Sequence, residues 1–356
     1  MIRTAMVTVM VLGAASAWRP AVAQQPDTAK GAVPVDTTRA APGGGQPAAQ
    51  IPEYADTAAF VEREVTVGAA PFELPGTLTL PKDARGVPVV VLVHGSGPND
   101  RDGTVGVKKP LRDLAWGLAS EGVAVLRYEK RTRLHAARMD LTAVTIEEET
   151  VADALLALDL VRAQPEVDAT RVFVLGHSLG AMIAPEIAAR DGGLAGAIMM
   201  AAGARPLAVM MLAQLDYVSQ TPENQAPQAV AQIAALRERI ERIARREAAP
   251  EDMGVGAPAR YFYDLDERAA PEKAATVDVP LLVMQGGRDY QVTMEDFAAW
   301  KQALAGRDDV VFRSYDELDH LFVAGAGPST PMEVMTVPGH VAASVIGDIV
   351  TFVKAH

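Results

Sequence analysis

Apolar and polar positions alternate over Phe60–Val67 and again from Leu74 to Leu80, where Gly76 loosens the pattern. Two short alternating runs this close together predict an antiparallel hairpin. The next run, Pro88 to Val93, is continuously apolar and β-branched, as suits a strand buried on both faces of a parallel sheet. From there the pattern switches regularly between helical and strand periods. Leu111–Ser120 predicts a helix ending near Gly122, and Val123–Arg127 a strand. Ile146–Ala163 predicts a helix with Val151, Leu155, Leu158 and Val161 on one stripe. Arg171–Leu175 reads as a strand, Ser178–Arg190 as a helix and Leu194–Ala201 as a strand. Pro280–Met284 and Val310–Tyr315 are further strands around a helix at Met294–Leu304, and Gly339–Lys354 closes the chain as a helix. Repeated strand–helix alternation predicts an α/β protein with a mainly parallel, doubly wound sheet.

One stretch breaks the rhythm. After the strand at 194–201 no further strand is predicted until 280, far more chain than one crossover needs. Inside it Val230, Ile233, Leu236, Ile240 and Ile243 recur at helical spacing among Arg237, Arg239, Arg242 and Arg245, which predicts an amphipathic helix. A helix packed on the sheet surface would show the same pattern. We read an inserted helical cap over about 203–276, because the insertion leaves from the carboxyl end of a strand, where open α/β sheets place their sites.

The N-terminus follows another logic. Arg3 precedes an apolar run from Met6 to Ala17, and Ala21-Val22-Ala23 resembles a cleavage site, with Ala15-Ser16-Ala17 as a second candidate. Residues 1–23 therefore read as a signal peptide, too short an apolar run to span a bilayer comfortably. Export to the periplasm or beyond is expected, with no stable membrane anchor. Residues 24–58, rich in Ala, Pro, Gly, Gln and Thr, read as a disordered linker. The 356-residue chain has a formal charge of −12, which makes nucleic acid a poor partner. It has no cysteine, so a nucleophile must come from Ser, Thr, Lys or a carboxylate.

That narrows attention to Gly176-His177-Ser178-Leu179-Gly180, which follows one predicted strand and opens a helix. This is the G-x-S-x-G pattern in the context it requires. The turn is so tight that the positions flanking it must lack bulky side chains, hence Gly176 and Gly180, and the Leu179 N–H sits at a helix start, free to hold an oxyanion. A serine hydroxyl needs a base. Of six histidines, His177 is locked in the turn, His94 lies in an earlier loop, His135 precedes the serine and His356 ends the chain. His320, a few residues past the strand Val310–Tyr315, lies at the right edge of the sheet. His340 reads as a surface residue at a helix start. Asp289, the first carboxylate after Pro280–Met284, is the acid expected between serine and histidine in chain order. Asp296 and Asp316 are weaker choices. The second oxyanion donor is expected from His94-Gly95-Ser96-Gly97-Pro98, with Ser96 N–H preferred and Gly95 or Gly97 open. Asn99-Asp100-Arg101-Asp102 would touch substrate or tie this loop down through Arg101.

These residues resemble the α/β-hydrolase superfamily and, within it, secreted bacterial carboxylesterases of the EstD type. The resemblance rests on His94–Asp102, Lys109–Ala115, Leu126–Arg131, Gly176–Gly180, Gln285–Val292 and Asp319–Phe322, and covers about residues 60–356. It implies an α/β-hydrolase domain at 59–356 with about eight strands and the inserted cap. It also implies hydrolysis of short-chain carboxylic esters without cofactor or metal, with nucleophile, acid and base on Ser178, Asp289 and His320. Related chains are labelled serine aminopeptidases, so a peptidase or thioesterase using the same residues stays open, with Asp264, Asp266 or Glu267 of the cap as partners for a substrate ammonium. A binding protein without turnover is a third reading. Met199, Met200, Met210, Met211 and Leu212 would either line a small acyl pocket or pack in the core.

Overall fold

The computed structural model describes residues 51–356. The predicted signal peptide and residues 24–50 of the predicted linker lie outside them. The described residues form one eight-stranded sheet in the order β1-β2-β4-β3-β5-β6-β7-β8. The strands are β1 (Phe60–Val67), β2 (Leu74–Pro81), β3 (Val87–Val93), β4 (Ala124–Tyr128), β5 (Val167–His177), β6 (Gly196–Met200), β7 (Leu281–Gly286) and β8 (Val310–Tyr315). β1 and β2 form the expected hairpin, with Phe60 opposite Pro81 and Val67 opposite Leu74. β2 joins β4 antiparallel, and all the remaining pairings are parallel.

The continuous apolar strands work as the period of two dictates. Val89, Val91 and Val93 of β3 feed one core, while Val90 and Leu92 feed the other. Val172 and Val174 of β5 likewise face the first, and Phe173 and Leu175 the second. Helices α1 (Pro110–Ser120) and α11 (Ala343–Ala355) cover the second face; α3 (Ala152–Arg162), α4 (Leu179–Asp191) and α9 (Met294–Ala303) cover the first. Short helices α2 (Arg131–His135) and α10 (Pro331–Thr336) lie in connections.

Between β6 and β7 the chain inserts α5 (Leu207–Ser219), α6 (Pro227–Ala244), α7 (Ala259–Arg268) and α8 (Pro271–Ala274). The predicted amphipathic helix is α6, which packs on α5. Its stripe is shifted from the expected one: Ala229, Ile233, Ile240 and Ile243 are buried, whereas Val230 is 51% exposed. Ala229 lies on the buried side of α6, and Val230 falls on the outer side.

Several boundaries move. β5 begins at Val167 rather than Arg171, because Val87 pairs with Val167 across an irregular register. The helix predicted from Ile146 opens with a π-helical turn at Glu147–Val151 before α3. The last helix starts at Ala343, since Val341 first bridges Val323.

Residues 51–58, predicted as linker, are instead ordered turns. Pro52 is buried, the Asp56 N–H donates to Ser120 Oγ at 3.0 Å, and the Tyr54 ring lies against Gly117 and Ile346. Their composition resembled the tether, but docking on α1 and α11 orders them. Tyr54→Ala should lower the unfolding free energy by about 2 kcal/mol, in the range for losing a largely buried side chain. Urea unfolding checks this; an unchanged midpoint would mean that the segment does not dock.

Candidate active site

The parallel strands reverse their order of addition at β3: β4 lies on one side and β5 on the other. Such a switch point leaves a crevice at the carboxyl ends of the two strands. The loop Gly95–Pro98 leaves β3 there, and Ser178 follows β5. A Cβ on Gly176 would lie 2.1 Å from the Gly180 carbonyl oxygen, and one on Gly180 would lie 2.4 Å from the Val93 carbonyl oxygen. Both contacts are with backbone, so only glycine permits this turn. Ser178 takes the strain, with φ 55° and ψ −117°, a conformation that costs a non-glycine residue on the order of 1–3 kcal/mol. Its N–H donates to the Met200 carbonyl at 2.9 Å, which holds the turn against β6.

Asp289 stands three residues past β7 and is thoroughly held. Its Oδ1 accepts from the Gln291 and Val292 N–H groups at 2.7 and 3.0 Å. Its Oδ2 accepts from Gln285 Nε2 at 3.2 Å and from His320 Nδ1 at 2.7 Å. A proton on Nδ1, required for that last bond, leaves the lone pair of His320 on Nε2. Burial alone would lower the basicity of His320. The charge and hydrogen bond of Asp289, with Asp319 adding to them, outweigh it and raise the imidazole above its ordinary value. Asp319 shapes the same loop by accepting from the Leu321 and Val323 N–H groups at 2.9 and 3.0 Å.

Ser178 meets this pair through its neighbours. The His177 Nε2–H donates to the His320 carbonyl at 2.8 Å, and the two rings lie 4.8 Å apart. On the other side, the Cβ of Ser178 is 3.2 Å from where a Gly95 Cβ would stand. Ser178, His320 and the β3 loop thus share one crevice, although the Ser178 hydroxyl makes no hydrogen bond among the described residues. The side-chain amide of Asn99 reaches the Gly95, Ser96 and Gly97 carbonyls at 3.1, 3.0 and 3.0 Å. That engages the loop carbonyls; the Ser96 N–H, and separately the Leu179 N–H at the start of α4, have no protein acceptor among the described residues. The Gly95 and Gly97 N–H groups are equally unengaged. Arg101 ties the loop down as expected, bonding Glu129, Glu64 and Thr77.

Other candidates fall outside the crevice. Asp296 caps α9 and binds Arg205, and Asp316 lies in the turn after β8. His340 is not a free surface residue: its Nδ1 bonds the buried Asp113 at 2.9 Å. Asp264 is engaged by Arg268 and the Ile146 N–H, Asp266 accepts from the Leu207 N–H, and Glu267 is exposed beside Arg246. Met199 and Met200 are core residues on opposite faces of β6, and Met210 and Met211 are buried in the core as well; Leu212 is half-buried against it. What sequence reasoning missed is the support around the site: Glu149, the bond from His177 to His320, and the supporting contacts of Lys130 and Asp319, whose motifs were noted but whose roles were not. These groups lie far apart in the chain, and no local pattern shows which of them meet.

Burial, and then the charge of His320, lower His177 to about 4 from its ordinary 6.5. The folded state therefore binds this proton less readily than the unfolded chain. The stabilisation is fully present above about pH 6.5 and is lost progressively as pH falls toward 4, at no more than about 1.4 kcal/mol per unit. His177→Gln keeps an N–H donor but cannot titrate, so the stability difference between wild type and variant should shrink as pH falls from 7.5 to 4.5. Urea unfolding at those pH values checks it; a constant difference would contradict it.

Residues 90–334 match the alpha/beta hydrolase family. The chain is 43% identical over 300 residues to Esterase EstD of Thermotoga maritima, an alignment covering 84% of this chain and 69% of that protein. Est1E from Butyrivibrio proteoclasticus is similar in fold, with a TM-score of 0.54 at 15% identity over 82% of this chain and 99% of that one. So is an esterase of Pyrococcus furiosus, with a TM-score of 0.51 at 14% identity over 83% of this chain and 91% of that one. The acylaminoacyl peptidase of Pyrococcus horikoshii gives 0.50 at 17% identity over 74% of this chain, which spans 38% of that longer one. The three solved structures speak to fold alone, and fold, sequence match and crevice agree: the chain belongs to the α/β-hydrolase family.

Proposed function

We propose that this protein is a serine carboxylesterase that hydrolyses short-chain acyl esters through an acyl-enzyme. The observation that carries the reading is the buried Asp289–His320 pair, bonded at 2.7 Å, beside a serine held at positive φ on a glycine-walled turn. The 43% identity to an esterase supports the ester as substrate. In this reading His320 Nε2 takes the Ser178 proton as Oγ attacks the ester carbonyl. The carbonyl oxygen becomes an oxyanion held by the Leu179 and Ser96 N–H groups. Asp289 keeps the Nδ1 proton in place and stabilises the imidazolium. His320 then protonates the departing alcohol, and water repeats the sequence on the acyl-enzyme. The chemistry draws on these side chains and backbone donors, without a cofactor. The segment at 1–23 supports export by a cleaved signal peptide, which N-terminal sequencing of the secreted protein tests.

The cap favours a small acyl group. Gln214 on α5 donates to the Gln291 carbonyl at 2.9 Å, tying α5 to the loop that carries Asp289. Tyr217, also on α5, stacks on Tyr290 at 4.9 Å. We read a helix fastened this close to the acid as limiting the depth above the serine. Of the candidate cap carboxylates, Asp264 and Asp266 are already engaged, which weighs against recognition of a substrate ammonium.

Ser178→Ala should abolish turnover and labelling by a fluorophosphonate. Asp289→Asn should cut kcat by about 10⁴, the size of the loss when the triad aspartate of a serine protease is changed to asparagine. Labelling of another serine, or full turnover by Ser178→Ala, would defeat the assignment.

Across p-nitrophenyl esters, kcat/KM should rise from acetyl to about butyryl or hexanoyl and then fall steeply by about ten carbons, because each methylene contributes about 0.8 kcal/mol only while it is buried. A maximum at palmitate, or faster cleavage of aminoacyl anilides than of esters, would favour another substrate class.

A further inference from the structure

The Gly95 carbonyl and the Ser96 N–H belong to one peptide unit. In a trans peptide they point in opposite directions, so whatever holds the carbonyl also aims the N–H. Two side chains hold it: Asn99, already described, and the ammonium of Lys130, which donates to the Gly95 oxygen at 2.8 Å. Lys130 follows β4, and its side chain is only 2% exposed. Its own N–H donates to the Asn99 carbonyl at 3.2 Å, so it braces both ends of the loop.

The ammonium is itself fixed. Glu149, 4% exposed, lies 3.4 Å away. It accepts from Thr132 Oγ1 at 2.8 Å and from the Tyr261 hydroxyl. Burial, with Glu149 adding to it, raises the Tyr261 phenol well above its ordinary value, so it stays protonated and donates. Glu149 sits in the π-helical turn before α3, and Tyr261 sits on α7 of the cap. π-Turns inside helices concentrate at functional sites. A buried ion pair is a poor means of stabilising a fold, since desolvation offsets most of its attraction. This pair has a further contact, and that contact is the oxyanion loop.

We propose that Lys130 is a positioning residue for the oxyanion site, fixing and polarising the Gly95–Ser96 peptide so that the Ser96 N–H faces the tetrahedral oxyanion formed on Ser178. The inference rests on the esterase reading above, with Ser96 as one of the two donors. A carbonyl hydrogen-bonded to a cation makes its peptide N–H a stronger donor. Glu149, Thr132 and Tyr261 hold the ammonium in place, which couples the cap to the reacting centre through side-chain contacts.

Removing an oxyanion donor outright costs about 10²–10³ in kcat; misaiming one should cost somewhat less. The test compares Lys130→Met with the double variant Lys130→Met/Glu149→Gln, which leaves no unpaired buried charge and keeps the protein foldable if the single change does not. Each is assayed with p-nitrophenyl butyrate and with an alkyl trifluoromethyl ketone, which adds to the serine to give an oxyanion. We expect kcat to fall about 30- to 300-fold in both, KM to change by less than about threefold, and the ketone's inhibition constant to rise by a factor similar to the loss in kcat. The acid limb of the pH profile, where activity is lost as His320 is protonated, should not move. A folded double variant with wild-type kcat, or a loss of kcat with unchanged ketone affinity, overturns the role of Lys130. Ser178→Ala, run in parallel, separates the two claims. If it is inactive while the Lys130 variants turn over normally, only the positioning role fails; if it is active, the esterase reading fails with it.

Discussion

Backbone meets backbone at the end of β5 more closely than any side chain would allow, and the rest of the site is built on that contact. Gly176 and Gly180 let α4 start directly beneath the β3 carbonyls. The chain can then reverse within one residue, and Ser178 is the residue that absorbs the reversal. The strain is offset by what surrounds it: the Ser178 N–H bonded into β6 and a helix whose inner face is buried against the sheet. A local conformation this unfavourable survives only where its surroundings over-determine it, and here the parallel core does so on both faces.

A second constraint is charge in a confined space. Three imidazoles lie near the crevice, but they are not equivalent. Burial pushes His94 down to about 3, with the Lys130 cation adding to it, and His177 down to about 4. Only His320 has a carboxylate on its ring nitrogen, and only His320 is raised. The environment, not the residue type, sets the three apart. Asp289 manages this because its other oxygen is occupied by two backbone N–H groups, which fixes the carboxylate against the His320 ring. Beyond this pair, Lys108 and Asp319, both buried, approach to 3.7 Å behind the histidine loop, so the loop is anchored from its far side as well.

The antiparallel end of the sheet has a supporting part. Arg127 on β4, nearly fully buried, bonds both Asp102 and Glu62, and Arg101 joins Glu64 to Glu129. These ion pairs stitch the β1–β2 hairpin to the segment that follows the Gly95–Pro98 loop. The hairpin therefore does more than extend the sheet: its polar face braces the loop that lies beside Ser178. Charge on a strand face would ordinarily be read as solvent exposure, and here it is structural.

The signals legible in the sequence are those carried by neighbours in the chain. The β-branched run of β3, the helical stripe before β5 and the glycines around Ser178 each depend on a few consecutive residues, so strand order by type, the elbow and the expectation of Asp289 and His320 at strand ends could be read directly. Other features needed the tertiary structure. Tyr54 belongs to a segment with the composition of a tether, and only its contact with α1 and α11 orders it. Val230 and Ala229 fit a helical stripe almost equally well, and the position of α5 decides which is buried. His340 reads as a surface residue until Asp113, distant in sequence, reaches it. Lys130 and Glu149 look like members of ordinary charge runs. Their burial and their link to the Gly95 carbonyl arise because β4, the turn before α3 and the loop after β3 converge at one end of the sheet. Periodicity reports which face of an element is apolar; which distant group meets that face depends on how the elements are packed together.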